Sequence, residues 1–328
     1  MMRCFVTVAM AGVLVAGCAT SPVVSRAALT LAEAKAIVAS FEARQVPPRS
    51  AAVILAGESG AMAVLKSDRL DAFPLAIAAI PATEVRDDAG GDVDIGAVAL
   101  RAQLYLAWGE AELTVAEVLA RTATALDTTV RGLELRSGQS PEEQQRLDEQ
   151  RARIASYRQI DEALRLLAAE HVDAGYREAD LVIQRAPDNY VGYRVAADAA
   201  RLRNQWRRFG ELLTRVEAHN PDSNGLRFLR GVASWMRDGD ASAAAGHFRS
   251  ALQHDPAFVR AQAQLVLVAP TTVEQHRELQ ALRDLAPDHQ IVRWAGPGID
   301  AAYDATMERQ RLIDAAMGLP TATSPQPE

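Results

Sequence analysis

The chain has 328 residues, room for one elongated repeat domain or two compact ones, and 49% of them are hydrophobic while only 5% are aromatic. Abundant Ala with so few aromatics suits closely packed helices more than a sheet core, so an all-α fold is expected. A net charge of −7 argues against nucleic acid as a partner, because phosphate binding needs a basic surface or stripe.

At the N-terminus Arg3 precedes an apolar run of 13 residues, Phe5 to Gly17, too short to span a bilayer as a mature helix and built like a secretory signal. Val15-Ala16-Gly17-Cys18 resembles a bacterial lipobox. The resemblance implies that residues 1–17 are a lipoprotein signal peptide and that the Cys18 thiol takes a diacylglycerol. Only Cys4 and Cys18 occur, so the mature chain would keep one lipidated cysteine and no disulfide. Ala19 in place of Asp, by resemblance to enterobacterial sorting, favours the periplasmic face of the outer membrane. Residues 18–29 read as a flexible tether with a reach of about 20 Å.

Residues 30–150 read as a helical N-terminal region. Thr30 and Glu33 have capping-box spacing, with Ile37, Val38 and Phe41 as the buried stripe of a first helix that Pro47-Pro48 ends. Ala51 to Ala56 and Phe73 to Ile80 read as short helices, although the first fits a buried strand equally well. Residues 83–94 form a turn-rich loop whose acids, Glu84, Asp87, Asp88, Asp92 and Asp94, lack the spacing of a calcium loop. A helix is expected from Ile95 to Trp108 and another from the Thr114/Glu117 capping box to Leu133. Ser140-Pro141-Glu142-Glu143 opens a helix running to about Glu170 that joins this region to the C-terminal half.

From 151 onward four phrases recur: Ala186-Pro187-Asp188-Asn189, Asn220-Pro221-Asp222-Ser223, Asp255-Pro256-Ala257-Phe258 and Ala286-Pro287-Asp288-His289. Their prolines are 34, 35 and 31 residues apart. Each phrase stops one helix and caps the next. In the third unit Ala244, Phe248, Ala251 and Leu252 share a helical face before Pro256, and this resembles the second helix of a tetratricopeptide repeat. Gly175, Ala179, Val182 and Ile183 fill the same slots in the first unit, and Phe209, Leu213 and Val216 in the second. Tyr193, Ala196, Ala197, Phe228 and Gly231 fit the preceding helices. The third unit has one extra residue before its turn, and the fourth is three short, with Gln275 where a small residue is expected. An unrelated array of helical hairpins would show the same periodicity. The resemblance implies an α-solenoid over residues 151–316, closed by a helix that Asp300 caps and that packs through Ala302, Ala305, Leu312 and Ala316. Residues 317–328 read as a disordered tail.

The chain has no phosphate-binding loop, Gly-rich dinucleotide turn, zinc-protease motif or nucleophile elbow, so neither catalytic residues nor a cofactor are expected. His219 and His254 fall at helix C-termini, where the dipole favours them, and no metal site is expected. The resemblance places the first helix of each repeat along a concave groove. There Arg194, Arg201, Arg227, Arg230 and Arg260 would form a basic stripe for an acidic segment or terminal carboxylate of a partner. Pairing of these arginines with Asp198, Asp222 and other acids of the array is the alternative. The reading is a lipid-anchored envelope scaffold that binds an envelope protein and reaches the membrane through its anchor. The alternatives are an accessory of a tripartite periplasmic solute transporter, and an envelope enzyme built from residues 30–150.

Overall fold

The computed structural model describes residues 29–45, 58–80, 94–134, 140–187 and 190–317. All regular structure among them is helical. Cys18, the Ala51 to Ala56 stretch, the tail and most of the acidic loop lie outside these residues; of that loop only Asp94 is described, its Oδ1 accepting from the Ala97 N–H at 3.1 Å.

Three helices precede the main body: α1 (Leu31–Glu42), α2 (Glu58–Ser67) and α3 (Phe73–Ala79). The Thr30/Glu33 capping box is made in full. Phe41 is buried, with Ile37 and Val38 packed beside it. Helix α2 lies between the two stretches read as short helices, where no element was expected.

The body is a long antiparallel hairpin of α4 (Ile95–Glu134) and α5 (Pro141–Arg185). Here the structure corrects two expectations. The helices expected at 95–108 and 114–133 are one 40-residue helix. Thr114 is not a cap: its hydroxyl donates to the Glu110 carbonyl at 2.8 Å in mid-helix. Likewise α5 runs 45 residues from the Ser140/Glu143 capping box, so the helix starting at 141 and the second helix of the first repeat unit are one element. No proline interrupts either stretch, and a lone Gly costs a helix only about 1 kcal/mol relative to Ala.

The lone glycines serve the hairpin instead. A Cβ on Gly109 would lie 2.7 Å from Val172 Cγ2 and 3.0 Å from the Ala168 carbonyl oxygen, and one on Gly175 would lie 2.7 Å from Leu106 Cγ. The missing side chains let α4 and α5 approach closely. Ion pairs then follow the hairpin from end to end: Arg101–Glu178, Arg165–Glu117 at 2.7 Å, Arg158–Asp127 at 3.4 Å and Arg151–Glu134.

Three helical hairpins follow, where four repeat units were expected: α6–α7 (Tyr190–Leu202, Trp206–His219), α8–α9 (Asn224–Met236, Ala241–His254) and α10–α11 (Val259–Val268, Thr272–Leu285). Ser223, Asp240 and Thr271 cap α8, α9 and α11 through their side chains. In the second hairpin the Phe248 ring fills the space beside Gly231, whose Cβ would meet it at 2.6 Å, and Ala244 and Ala251 are fully buried. Trp206 packs edge-on against Phe209 at 5.9 Å.

Helices α6 and α10 both lie against α4. Arg194 meets Gln103 and Arg201 meets Glu110, a shift of seven residues on each helix in the same direction. Arg260 meets Glu110 and Gln264 meets Thr114, a shift of four on each. Both helices therefore run parallel to α4.

A π-helical turn, Ile291–Ala295, leads into α12 (Gly296–Ala316). Asp300 is not the cap expected of it. It lies inside α12 and accepts from Arg283 at 2.9 Å. The closing helix packs through its first half, with Ile299 and Ala302 buried, while Leu312 is 41% exposed and Ala316 is exposed.

Candidate functional site

Helix α4 carries Glu110 and Glu112 within a largely buried apolar stretch. At about 100° per residue they point some 200° apart, Glu110 toward the hairpins and Glu112 toward α5. Both are buried, at 5% and 2% exposure. A carboxylate out of water must be paired or kept neutral, and the two residues use one solution each.

Glu110 is paired. Its Oε2 accepts from Arg201 Nη2 at 2.6 Å and from Arg260 Nη2. Arg201, 1% exposed, also donates to Asp198 Oδ1 from Nε at 3.0 Å and Nη2 at 2.8 Å. The Arg260 guanidinium sits 5.0 Å above the Phe228 ring, with its Nε 3.6 Å from Asp68 Oδ1. Asp68, just past the end of α2, takes the left-handed conformation at φ 54° and also lies 3.6 Å from His289 Nε2. Burial pushes the Glu110 carboxyl up, but Arg201 and Arg260 together outweigh it and hold the group below its usual range. Burial likewise opposes the charge on Arg201, and Glu110 and Asp198 overcome it, so its proton is held more tightly than usual.

Beside this node, α2, α6, α8 and α10 enclose a cleft of ≈ 200 Å³ against α4. Phe228, Phe258, Leu65 and Met62 supply apolar walls. Arg194, Lys66 and Arg260 bring positive charge to it, and Asp198 and Asp255 negative charge. Arg194 donates to the neutral side chain of Gln103 and is within 4 Å of no carboxylate among the described residues.

The five arginines of the sequence stripe thus divide. Arg194, Arg201 and Arg260 converge on α4, and the last two are engaged by Glu110 of the same chain. Arg227 and Arg230 do not join them. Arg227 donates to the Asp222 carbonyl and lies 3.6 Å from its carboxylate, while Arg230 donates to Glu217 Oε1 at 2.7 and 3.1 Å. The reason is helical phase: α8 turns Asn224, Gly225, Phe228 and Leu229 to the cleft, leaving 227 and 230 on the side turned away from it.

On the opposite side Glu112 is kept neutral. Its Oε2 lies 2.7 Å from His171 Nδ1, and Trp108 stacks on the imidazole with centroids 3.6 Å apart. Burial raises the Glu112 carboxyl well above its usual range and Glu170 adds to this, while burial lowers His171 to about 4. A protonated Glu112 donating to a neutral imidazole satisfies both shifts. Neither Glu110 nor Glu112 is visible from motif spacing. The available signal was two acids in a stretch where neighbouring positions are apolar.

His219 and His254 occupy the last turns of α7 and α9. Among the described residues no three His, Cys, Asp or Glu side chains form a metal-binding group, and no described helix is long and apolar enough to cross a membrane.

Two predictions come from the paired acids. Glu110→Gln removes the carboxylate shared by two buried guanidiniums, leaving Arg201 only Asp198 and Arg260 only the more distant Asp68, and should lower stability by about 3 kcal/mol in urea unfolding. Replacing Glu110, Arg201 and Arg260 by Met with Asp68 and Asp198 by Asn, so that no acid is left without its cation, should recover much of that loss; a variant no more stable than Glu110→Gln would mean that shape, not charge pairing, sets the cost.

The second concerns pH. The raised Glu112 contributes stability that is complete below the unfolded carboxylate range and is lost as pH rises through its folded value. The lowered His171 contributes stability that is present above 6.5 and is lost as pH falls toward about 4. The two slopes are opposite in sign, the Glu112 one falling and the His171 one rising with pH. Glu112→Gln keeps a donor to Nδ1 and removes the Glu112 slope, so its Tm advantage over the wild type should grow as pH rises above the unfolded carboxylate range. A constant difference above that range would contradict the neutral pair.

No family model matches this chain, and no curated protein or solved structure matches it significantly.

Proposed function

We propose that this chain is a lipid-anchored scaffold of the cell envelope that holds an acidic segment or terminal carboxylate of a partner protein in the cleft between its helical hairpins and α4. In this reading the three hairpins are degenerate tetratricopeptide units, and the lipobox-like Val15-Ala16-Gly17-Cys18 supplies the anchor on the periplasmic face of the outer membrane.

The observation that carries it is the cleft's chemistry. Phe228, Phe258, Leu65 and Met62 offer apolar contact, and Arg194, hydrogen-bonded to the uncharged Gln103, stands with the exposed Lys66 at the edge. A carboxylate seated there meets a guanidinium fork without displacing an existing acid. Arg201 and Arg260 act behind it as the support that fixes α6 and α10 on α4. A volume of ≈ 200 Å³ suits one or two side chains or a chain end, not a folded surface.

Crosslinking capture from membranes tests the cleft. Arg194→Gln with Lys66→Gln, which remove both charges and keep an amide beside Gln103, should abolish capture of the wild-type partner while circular dichroism still shows a folded helical chain. Recovery of the same partner by the double variant would exclude the cleft. The anchor is tested separately: a clickable fatty acid should label the wild-type chain and fail to label Cys18→Ser, and label retained on the Ser variant would remove the lipid anchor from the proposal.

A further inference from the structure

On the side of α4 away from the hairpins lies a cavity of ≈ 380 Å³, within the range of small-molecule sites. Its apolar walls are Val38 from α1, Leu70, Leu164 and Leu167 from α5, and Trp108 and Trp294. Lys35, whose side chain is 58% exposed, marks its mouth.

The walls are already fixed. Trp108 is held between Phe73, stacked at 6.2 Å, and His171, stacked at 3.6 Å. Trp294 packs edge-on against Phe41 at 5.3 Å and donates from Nε1 to Glu42 Oε2 at 2.5 Å. A site whose aromatic groups are locked by their own neighbours loses little entropy on binding.

The charges around it are cancelled in place. Lys35 lies 3.4 Å from Glu170, Glu42 is paired with Arg293, and Asp71 accepts from Arg69 at 2.6 Å. Glu112 is engaged by His171. An ionic ligand would therefore enter an apolar chamber with no free counter-charge, at a desolvation cost nothing there offsets.

One polar atom is left over. Gln290 lines the cavity and is 1% exposed, and its Oε1, shielded from solvent in this rotamer, accepts no hydrogen bond among the described residues, so that a rotation of the side-chain amide presents it to a ligand. An acceptor buried without a donor is costly, about 1–3 kcal/mol, and a ligand hydroxyl or N–H would satisfy it.

We propose that this cavity is a binding site for a small uncharged molecule with an apolar ring-sized body and one hydroxyl or N–H that donates to Gln290. The site shares α4 with the cleft but none of its lining residues, and it does not depend on any protein partner.

The test uses the full chain, with 1-naphthol as the probe and naphthalene as the same body without the donor. Tryptophan quenching should report saturable binding of one 1-naphthol per chain, at least about tenfold tighter than naphthalene, the equivalent of about 1.4 kcal/mol for the added bond. Gln290→Leu should bring the two affinities together. Val38→Trp, which fills the cavity from α1, should weaken 1-naphthol at least about tenfold. Absence of saturable binding to the wild type, equal affinity for the two probes, or unchanged binding to Val38→Trp would each overturn the proposal. Because the ratio of the two probes is measured on the wild type, the result stands even where a variant fails to fold.

Discussion

A buried carboxylate held by two guanidiniums ties this molecule together. Glu110 on α4 accepts from Arg201 on α6 and Arg260 on α10, which lie 91 and 150 residues away from it in the chain. Desolvating those charges is expensive, and only their mutual geometry offsets it. The node therefore holds in one arrangement and penalises any slip of either hairpin helix along α4. Gln103 with Arg194 and Thr114 with Gln264 repeat the same register a turn or two away, so α4 is in effect a template on which the array is laid.

That template exists because α4 is continuous. Its hairpin with α5 combines close backbone approach at Gly109 and Gly175 with a line of ion pairs, several of them solvent-exposed and individually weak. The glycines matter more, since a side chain at either would fall on an occupied position. A straight 40-residue helix spans about 60 Å, long enough to receive α6, α10 and α12 while α5 and α1 cover the other side.

The two chambers beside α4 differ in kind. The cleft on the hairpin side is lined by Arg194, Lys66 and Arg260 together with Asp198 and Asp255 and is backed by the Glu110 node; an anionic group is what we propose for it. The cavity on the α1 and α5 side has its charges cancelled and its acid kept neutral, a setting for an uncharged one. The difference follows from two acids placed about 200° apart on one helix, one facing arginines and the other facing tryptophan and histidine.

Composition and periodicity determined the helical class, the Thr30 and Ser140 capping boxes and the connections between hairpins at Pro221 and Pro256, because each depends on interactions within a few residues. They singled out Arg194, Arg201, Arg227, Arg230 and Arg260 as one stripe, but did not show that three of them would turn to α4 and two away from it. The sequence did not reveal that α4 and α5 run unbroken, since Thr114 carries a cap's chemistry and Gly175 occupies a repeat's small-residue slot; only the opposing helix shows that Gly175 serves packing, and only the helix running through it shows that Thr114 caps nothing. Nor did it reveal the counter-ion of Arg201 and Arg260, or the pairing of Glu112 with His171. Those were decided by tertiary structure, because a side chain's charge state and partner depend on what the fold brings within about 3 Å and on how much water it removes.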